Sequence, residues 1–529
     1  MDRRQFLKTS AAAATFLPAA PHLALAQDAK TLRFVPYSDV AIIDPIWTTG
    51  YSTRTHALLV WDTLYGLDET LQPQPQMVEG HVVDDDGKRW TLTLRPGLVF
   101  HDGAKVLARD AVASIKRWGA RDAFGQALMA VTDELSAPDD RTIVFRLRKP
   151  FPLLPAALAR PSALVAAIMP ERLAETDPFK QIPEAIGSGP FRYVKEERVS
   201  GARHVYARHQ GYVPRPSGTP SFTAGPRTPY LDRIEFNVMP DAATAVSALQ
   251  TGAVDWIEQP LIDLLPLLRK DPNIVVEVKD TSGMAGQLRL NHTQAPFNNP
   301  AIRRVILKAL DQQACMDAVC GGDPKVERSS MGFFPSNSPM ASDAVASALK
   351  GPKDFGKLKQ ELTDAGYKGE RIVFLAAQDV PRISLVCDVA ADALRQIGAN
   401  IDFVAADWGT VLQRITNRTP IEQGGWSCYV TYWSGLDLGS PATSSPLRGN
   451  GPKAGPGWPE SPQIEALRAR WLEAATLAEQ KAIAREIELQ AMQDVPYVPA
   501  GQYFQPVAYR KNLTGMLNGV PVFTNLRKG

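Results

Sequence analysis

Residues 371–406 constrain the fold most. "RIVFLAA" is a short apolar run, residues 381–397 carry a helical pattern, and "NIDFVAA" returns to strand. Two strands joined through a helix lie parallel in one sheet, and the crossover is right-handed. This fixes an α/β architecture for that part of the chain. Elsewhere short strands alternate with helices. "WTLTL" sets Trp90, Leu92 and Leu94 on one face, "TIVFRLR" does so with Ile143, Phe145 and Leu147, and "RIEFNVM" with Ile234, Phe236 and Val238. "PDAATAVSALQTG" reads as a helix capped by Asp241 and stopped by Gly252. "NPAIRRVILKALDQQACMDAVCGG" reads as one helix. Asn299 caps it, Pro300 fits its first position, and Ile302, Val305, Ile306, Ala309 and Leu310 form its apolar stripe. Ser461 and Pro462 start a further helix, and Thr476 with Glu479 forms a capping box for another. "RGNGPKAGPGWPESP", residues 448–462, is rich in Gly and Pro and is expected as a surface loop.

The N-terminus has the build of an export signal. "MDRRQFLK" is basic, "TSAAAATFLPAAPHLALA" is apolar and small, and "ALA" ending at Ala26 is a small-x-small cleavage site. Arg3-Arg4 followed by Phe6, Leu7 and Lys8 resembles a twin-arginine signal, although Asp2 stands where Ser or Thr is usual. No Cys precedes Cys315, so no lipid-modified Cys can follow cleavage. The expectation is a soluble periplasmic protein starting at Gln27, with no membrane anchor. Loss of Arg3, Arg4, Lys8 and Asp2 turns 58 basic and 56 acidic residues into 55 and 55. A neutral chain argues against nucleic acid or an anionic membrane as partner. A length of 529 residues allows about two to four domains. Cys315 and Cys320 are the one local disulfide candidate; the other reading leaves all four Cys free as small apolar residues.

Catalytic signatures are missing. "GPKDFGKL" has Leu358 where a phosphate loop needs a metal-binding hydroxyl. "DDDG", residues 84–87, reads as a hairpin turn, and His101-Asp102 sits in a tight turn at Gly103. The seven His are scattered, with no zinc spacing and no HExxH. What remains is "GGWSCYVTYWSGLDLGSP", residues 424–441, where Trp426, Tyr429, Tyr432 and Trp433 crowd one Gly-rich stretch beside Asp437. Such rings either plug a core or stack on a ligand.

Taken in order, several segments are similar to the family 5 extracellular solute-binding proteins, the dipeptide-, oligopeptide- and nickel-binding components of ABC importers. They are "VWDTLYGLDETLQPQPQMVEG" with the hairpin region after it, "IGSGPFRYV", "YLDRIEFNVMPDAATAVSALQTGAVDW", "LNHTQAPFNNPAIRRVILKALDQQA" and "VPYVPAGQYFQPVAYRKNLTG". The resemblance covers about residues 30 to 525. It implies a two-lobed α/β fold with mixed sheets, a ligand cleft between the lobes and two hinge crossings. It implies lobe I over 27–283, with an extra subdomain near 70–190, lobe II over 284–493, and a return to lobe I over 494–529. The crossings are expected near "TSGMAG" and "DVPYVPAGQ". Peptide-binding members carry a loop reading W-[ST]-G-D-x-x-D-P, whose Asp pairs with the ligand ammonium. Here the loop reads "WSGLDLGSP", so Asp437 is displaced by one residue and the second Asp is absent.

The resemblance therefore implies a periplasmic receptor for a peptide or peptide-like solute. It would be a monomer without cofactor or metal, not an enzyme, serving inner-membrane permease subunits. The implied ligand set is Tyr37, Trp408, Trp426, Tyr429, Tyr432, Trp433, Asp437, Gln502 and Tyr503. The alternatives are a nickel-chelate or haem carrier of the same family, and a twin-arginine-exported redox enzyme, which would need a cofactor motif that the sequence lacks.

Overall fold

The computed structural model describes residues 30–529; the expected export segment lies outside them. Two large sheets organise the chain. The first has seven strands, in the order Ile274–Val278, Pro506–Arg510, Trp256–Ile257, Thr31–Val35, Arg233–Asn237, Arg203–Arg208 and Phe191–Tyr193. Thr31–Val35 sits inside it, parallel to Arg233–Asn237 and Trp256–Ile257. Covered on both faces, this strand reads "TLRFV" with little alternation, as buried parallel strands do. Phe34 is fully buried and meets Phe236, Trp256 and Phe523 at ring distances of 4.9, 4.8 and 5.1 Å.

The second sheet has six strands, in the order Glu327–Arg328, Val498–Tyr503, Met284–Leu290, Cys428–Ser434, Arg371–Ala377 and Asn400–Ala406. Arg371–Ala377 and Asn400–Ala406 pair in parallel around the crossover helix Pro381–Gln396, as the pattern requires. Met284–Leu290 runs antiparallel to both its neighbours, so the sheet is mixed. A separate antiparallel sheet of four strands lies between Val78 and Leu147. Its inward faces carry Trp90, Leu92 and Leu94 on one strand and Ile143, Phe145 and Leu147 on another, all buried.

The caps fall where the side chains dictate. Asp241 accepts from the Thr244 N–H and Gly252 closes that helix at φ 78°. The capping box of Thr476 and Glu479 starts Leu477–Asp494. The expected single helix after Asn299 is instead two, Pro300–Ala309 and Gln312–Cys320. Leu310 is extended, and the Asp311 carboxylate accepts from the Gln313 N–H, starting a new helix where a short acidic side chain competes with the helical ladder. Residues 448–462 also depart from expectation. They pack on the second sheet's core, with Trp458 6% exposed and 5.8 Å from Trp426, while Arg289 donates to the Pro456 carbonyl at 2.8 Å. Pro and Gly here shape a fitted loop.

The chain passes from the first sheet to the second through residues 279–283. Val498–Tyr503 still belongs to the second sheet, and Pro506–Arg510 to the first. The return crossing is therefore residues 504–505, later than the stretch from 494 read from sequence. All four Cys are free and buried, and burial pushes the Cys320 and Cys387 thiols up to about 12. Among the described residues, no helix is long and apolar enough to cross a membrane.

Glu488, on Leu477–Asp494, is fully buried beneath the second sheet. Its Oε1 accepts from the Phe333 and Phe334 N–H groups at 2.9 and 3.3 Å, and its Oε2 has no partner. Burial pushes this carboxyl from 4.5 up to about 7, against the pull of backbone N–H groups; the Tyr497 phenol also faces it. A raised carboxyl is protonated in the fold while the unfolded chain has already ionised. Stability from this group is thus full below about pH 4.5 and is lost as pH rises toward about 7. Glu488→Gln keeps an acceptor for both N–H groups. We expect it to flatten a slope of at most about 1.4 kcal/mol per pH unit over that window, read by urea denaturation. An unchanged slope would show that Glu488 does not titrate there.

Candidate functional site

The two sheets meet around the first crossing, and the side chains gathered there are charged. Helix Tyr51–Val60 starts at this boundary and presents Tyr51 and Arg54. The end of Trp256–Ile257 leads into Glu258 and Gln259, the crossing supplies Lys279 and Asp280, and the second sheet supplies Ser434. Together they enclose a cavity of about 50 Å³. A second cavity, of about 630 Å³, shares Asp280 and Gly519 with it and is bordered by Phe222, Lys325, Arg328, Leu436 and Phe504. The arrangement is a small charged chamber beside a larger groove between the sheets, with Asp280 and Gly519 on the wall of both.

Arg54 is 6% exposed, and its Nε is buried without a partner. Its guanidinium carbon lies 4.7 Å from the Tyr51 ring centre. Glu258 is 5% exposed and its Oε2 accepts from the Tyr37 N–H at 2.9 Å. Asp280 Oδ1 accepts from the Ser282 N–H and hydroxyl at 2.9 and 2.5 Å. Burial raises both carboxyls, and Arg54 pulls both back toward the charged form. Lys279 is held by Glu277 at 2.8 Å.

Asp437 faces a different partner. It is 1% exposed; Oδ1 accepts from Arg160 Nη2 at 2.8 Å and Ser162 Oγ at 2.6 Å, and Oδ2 accepts from the Tyr51 hydroxyl at 3.0 Å. Arg160 also donates to Asp122 at 2.5 Å. Burial opposes the Arg160 charge, but Asp122 and Asp437 outweigh it, so the guanidinium is raised above its ordinary range. Burial, then the Asp437 charge, raises the Tyr51 phenol. The Tyr51 hydroxyl accepts from the Ser434 N–H at 2.7 Å. These bonds tie the end of the second sheet to elements packed on the first.

The other expected residues divide by burial. Trp426 is fully buried, donates to the Ile415 carbonyl at 3.1 Å and meets Tyr429 edge-on at 5.2 Å; both belong to the core. Gln502 is also fully buried; Nε2 donates to the Ser282 carbonyl at 2.7 Å and Oε1 accepts from the Ser336 hydroxyl at 2.7 Å, which clamps the first crossing. Tyr432 and Tyr503 stand edge to face at 5.1 Å, with the Arg382 guanidinium 4.8 Å over Tyr503 and reaching Gln259 at 3.3 Å. Trp433 is half-buried against Ala285, Met331 and Leu438. Trp408 is half-buried and its N–H donates to Asp379 at 2.7 Å; Tyr37 is 43% exposed. None of these nine lines either cavity, whereas their neighbours Ser434, Leu436, Phe504 and Gln505 do. Among the described residues, no group of three His, Cys, Asp or Glu is placed to hold a metal.

Residues 72–455 match the model of bacterial extracellular solute-binding proteins, family 5. The chain belongs to that family. A probable peptide ABC transporter periplasmic-binding protein of Sinorhizobium fredii is 39% identical over 535 residues, covering 100% of this chain and 99% of that one. A glutathione-binding protein of Salmonella typhimurium is 25% identical over 500 residues, 92% of each chain. Two solved structures share the two-lobed family 5 fold. AgaA of Agrobacterium tumefaciens in complex with agropinic acid has a TM-score of 0.77 at 21% identity, covering 94% of this chain and 99% of that one. DppA of Helicobacter pylori in complex with a peptide has a TM-score of 0.76 at 22% identity, covering 94% and 98%.

Proposed function

We propose that this family 5 protein is the periplasmic receptor of an ABC importer, capturing a peptide or peptide-like solute between its lobes. The chain works as a soluble monomer without enzymatic activity and hands its cargo to the membrane permease. Lobe I is the first sheet with its flanking elements and the four-stranded sheet; lobe II is the second sheet. The observation that carries the reading is the charged cavity between the sheets, lined by Arg54, Glu258 and Asp280 and adjoining a groove of about 630 Å³ that shares Asp280 and Gly519 with it. Pockets of this size at a domain boundary suit small molecules of peptide dimensions. The peptide receptor named for the Sinorhizobium relative points the same way.

A second reading within the same class is a small non-peptide acid, favoured by the likeness to the agropinic acid complex. Native mass spectrometry of protein isolated from the periplasm without denaturation separates the two by the mass of any retained solute. Adding that solute to stripped protein should shrink the radius of gyration in small-angle scattering, as hinge closure requires. A retained solute that binds without changing the radius would argue against a closing cleft.

A further inference from the structure

Arg54 is a buried cation held near two carboxylates, Glu258 and Asp280, without a contact ion pair to either. Buried charges in proteins are paired, because an unpaired ion forfeits its hydration. Arg54 is 6% exposed, its Nε has no partner, and it lines the cavity between the sheets. Its guanidinium packs over the face of the Tyr51 ring at the cavity wall, and among the described residues no carboxylate is in contact with it. A planar fork of free N–H groups fits a carboxylate.

Opposite charge stands in the same chamber. Glu258 and Asp280 each accept backbone or hydroxyl hydrogens on one oxygen, and both feel the Arg54 field. Lys279 is already held by Glu277. Asp437, the carboxylate that the loop resemblance assigns to a ligand ammonium, is saturated by Arg160, Ser162 and Tyr51.

We propose that Arg54, Glu258 and Asp280 form the charge-recognition subsite of the cleft. The subsite takes a compact zwitterion: its carboxylate docks on Arg54 and its ammonium lies between Glu258 and Asp280. Both charges enter one small chamber, so the ligand carries them no farther apart than a dipeptide does, and any remaining bulk extends into the groove bordered by Arg328. This deepens the receptor reading and rests on it.

The test uses three probes: Ala-Ala, its C-terminal amide and its N-acetyl form. Calorimetry with the wild type should show Ala-Ala binding at least about tenfold tighter than either capped form. Arg54→Met should bind the acid and the amide within about twofold of each other while still preferring the free amine. Glu258→Gln should narrow the preference for the free amine and keep that for the acid. Melting without peptide should show Arg54→Met still folded, although Glu258 and Asp280 lose a charge that favours their ionised forms. Arg54→Lys keeps the charge without the fork and should bind more weakly, yet still prefer the acid. A wild type that binds none of the probes, or all three equally, overturns the subsite, as does Arg54→Met with an undiminished acid preference. A solute retained in native mass spectrometry without dipeptide binding would sink the subsite and leave the receptor standing. Neither solute nor dipeptide would sink both.

Discussion

Asp437→Asn should cost the unliganded protein about 3–5 kcal/mol, because it strips one partner from a buried ion pair and leaves the other behind. Arg160 is 8% exposed and sits between Asp122 and Asp437, so removing Asp437 leaves a guanidinium designed for two carboxylates with one. Ser162 and Tyr51 lose a charged acceptor at the same time. These partners lie across the boundary between the sheets. Part of the cost should therefore appear as opening, seen as a larger radius of gyration, and part as a lower urea midpoint. Arg160→Met should do similar damage alone and add little in the double mutant, with a coupling of at least about 1.5 kcal/mol in the cycle. If Asp437 instead waits for a ligand ammonium, the single substitutions add independently in unliganded protein. Asp437→Asn then weakens only the binding of cationic ligands.

That contrast shows how far the loop was legible. "WSGLDLGSP" lies beside the cavities, because Ser434 and Leu436 line them. It did not mark the role of the carboxylate. Ser434 caps the turn Gly435–Leu438, and on a helix one residue turns a side chain by about 100°. Leu436 accordingly faces the groove while Asp437 faces Arg160. Ring density was a poor guide for a related reason. Trp426 just precedes, and Tyr429 lies within, the strand Cys428–Ser434, whose first residues are buried on both faces, where large rings fill volume.

The strand-helix-strand at residues 371–406, the alternating strands and the caps at Asp241 and Thr476 were legible because each depends on near neighbours in sequence. The charged chamber depends on contacts across the chain: Arg54 comes from an early helix, Glu258 from a strand end and Asp280 from a crossing. No local spacing relates them. One local signal existed. In "YSTRTHALLV" all but the first residue is buried, and an Arg in such a helix asks for a partner. The return crossing was misplaced because "VPYVPAGQY" reads equally well as linker or strand, and only pairing with Met284–Leu290 decides for strand.

The crossing also supplies the last prediction. Gly435 donates its N–H to the Gly283 carbonyl at 2.8 Å, so the end of the second sheet's strand lies directly on the first crossing. A Cβ on Gly435 would stand 2.0 Å from the Ser282 carbonyl oxygen and 2.8 Å from its carbon. Those are backbone atoms and cannot rotate away as a side-chain tip would. Ser282 is fixed in turn, because its carbonyl accepts from the buried Gln502. Gly435→Ala must therefore push the crossing and the strand end apart, which disturbs Asp280 on one side and Asp437 on the other. The expected cost is about 3 kcal/mol, at the upper end of overpacking, with a larger radius of gyration and weaker binding of any cleft ligand. Gly455→Ala is the control, since nothing lies within 4 Å of its added Cβ; it should shift stability by less than about 0.5 kcal/mol. A Gly435→Ala protein with wild-type midpoint and radius would show that the crossing yields freely. Closure would then depend on the ion pair at Asp437 and on the Arg382 contacts with Gln259 and Tyr503, with close backbone approach contributing little.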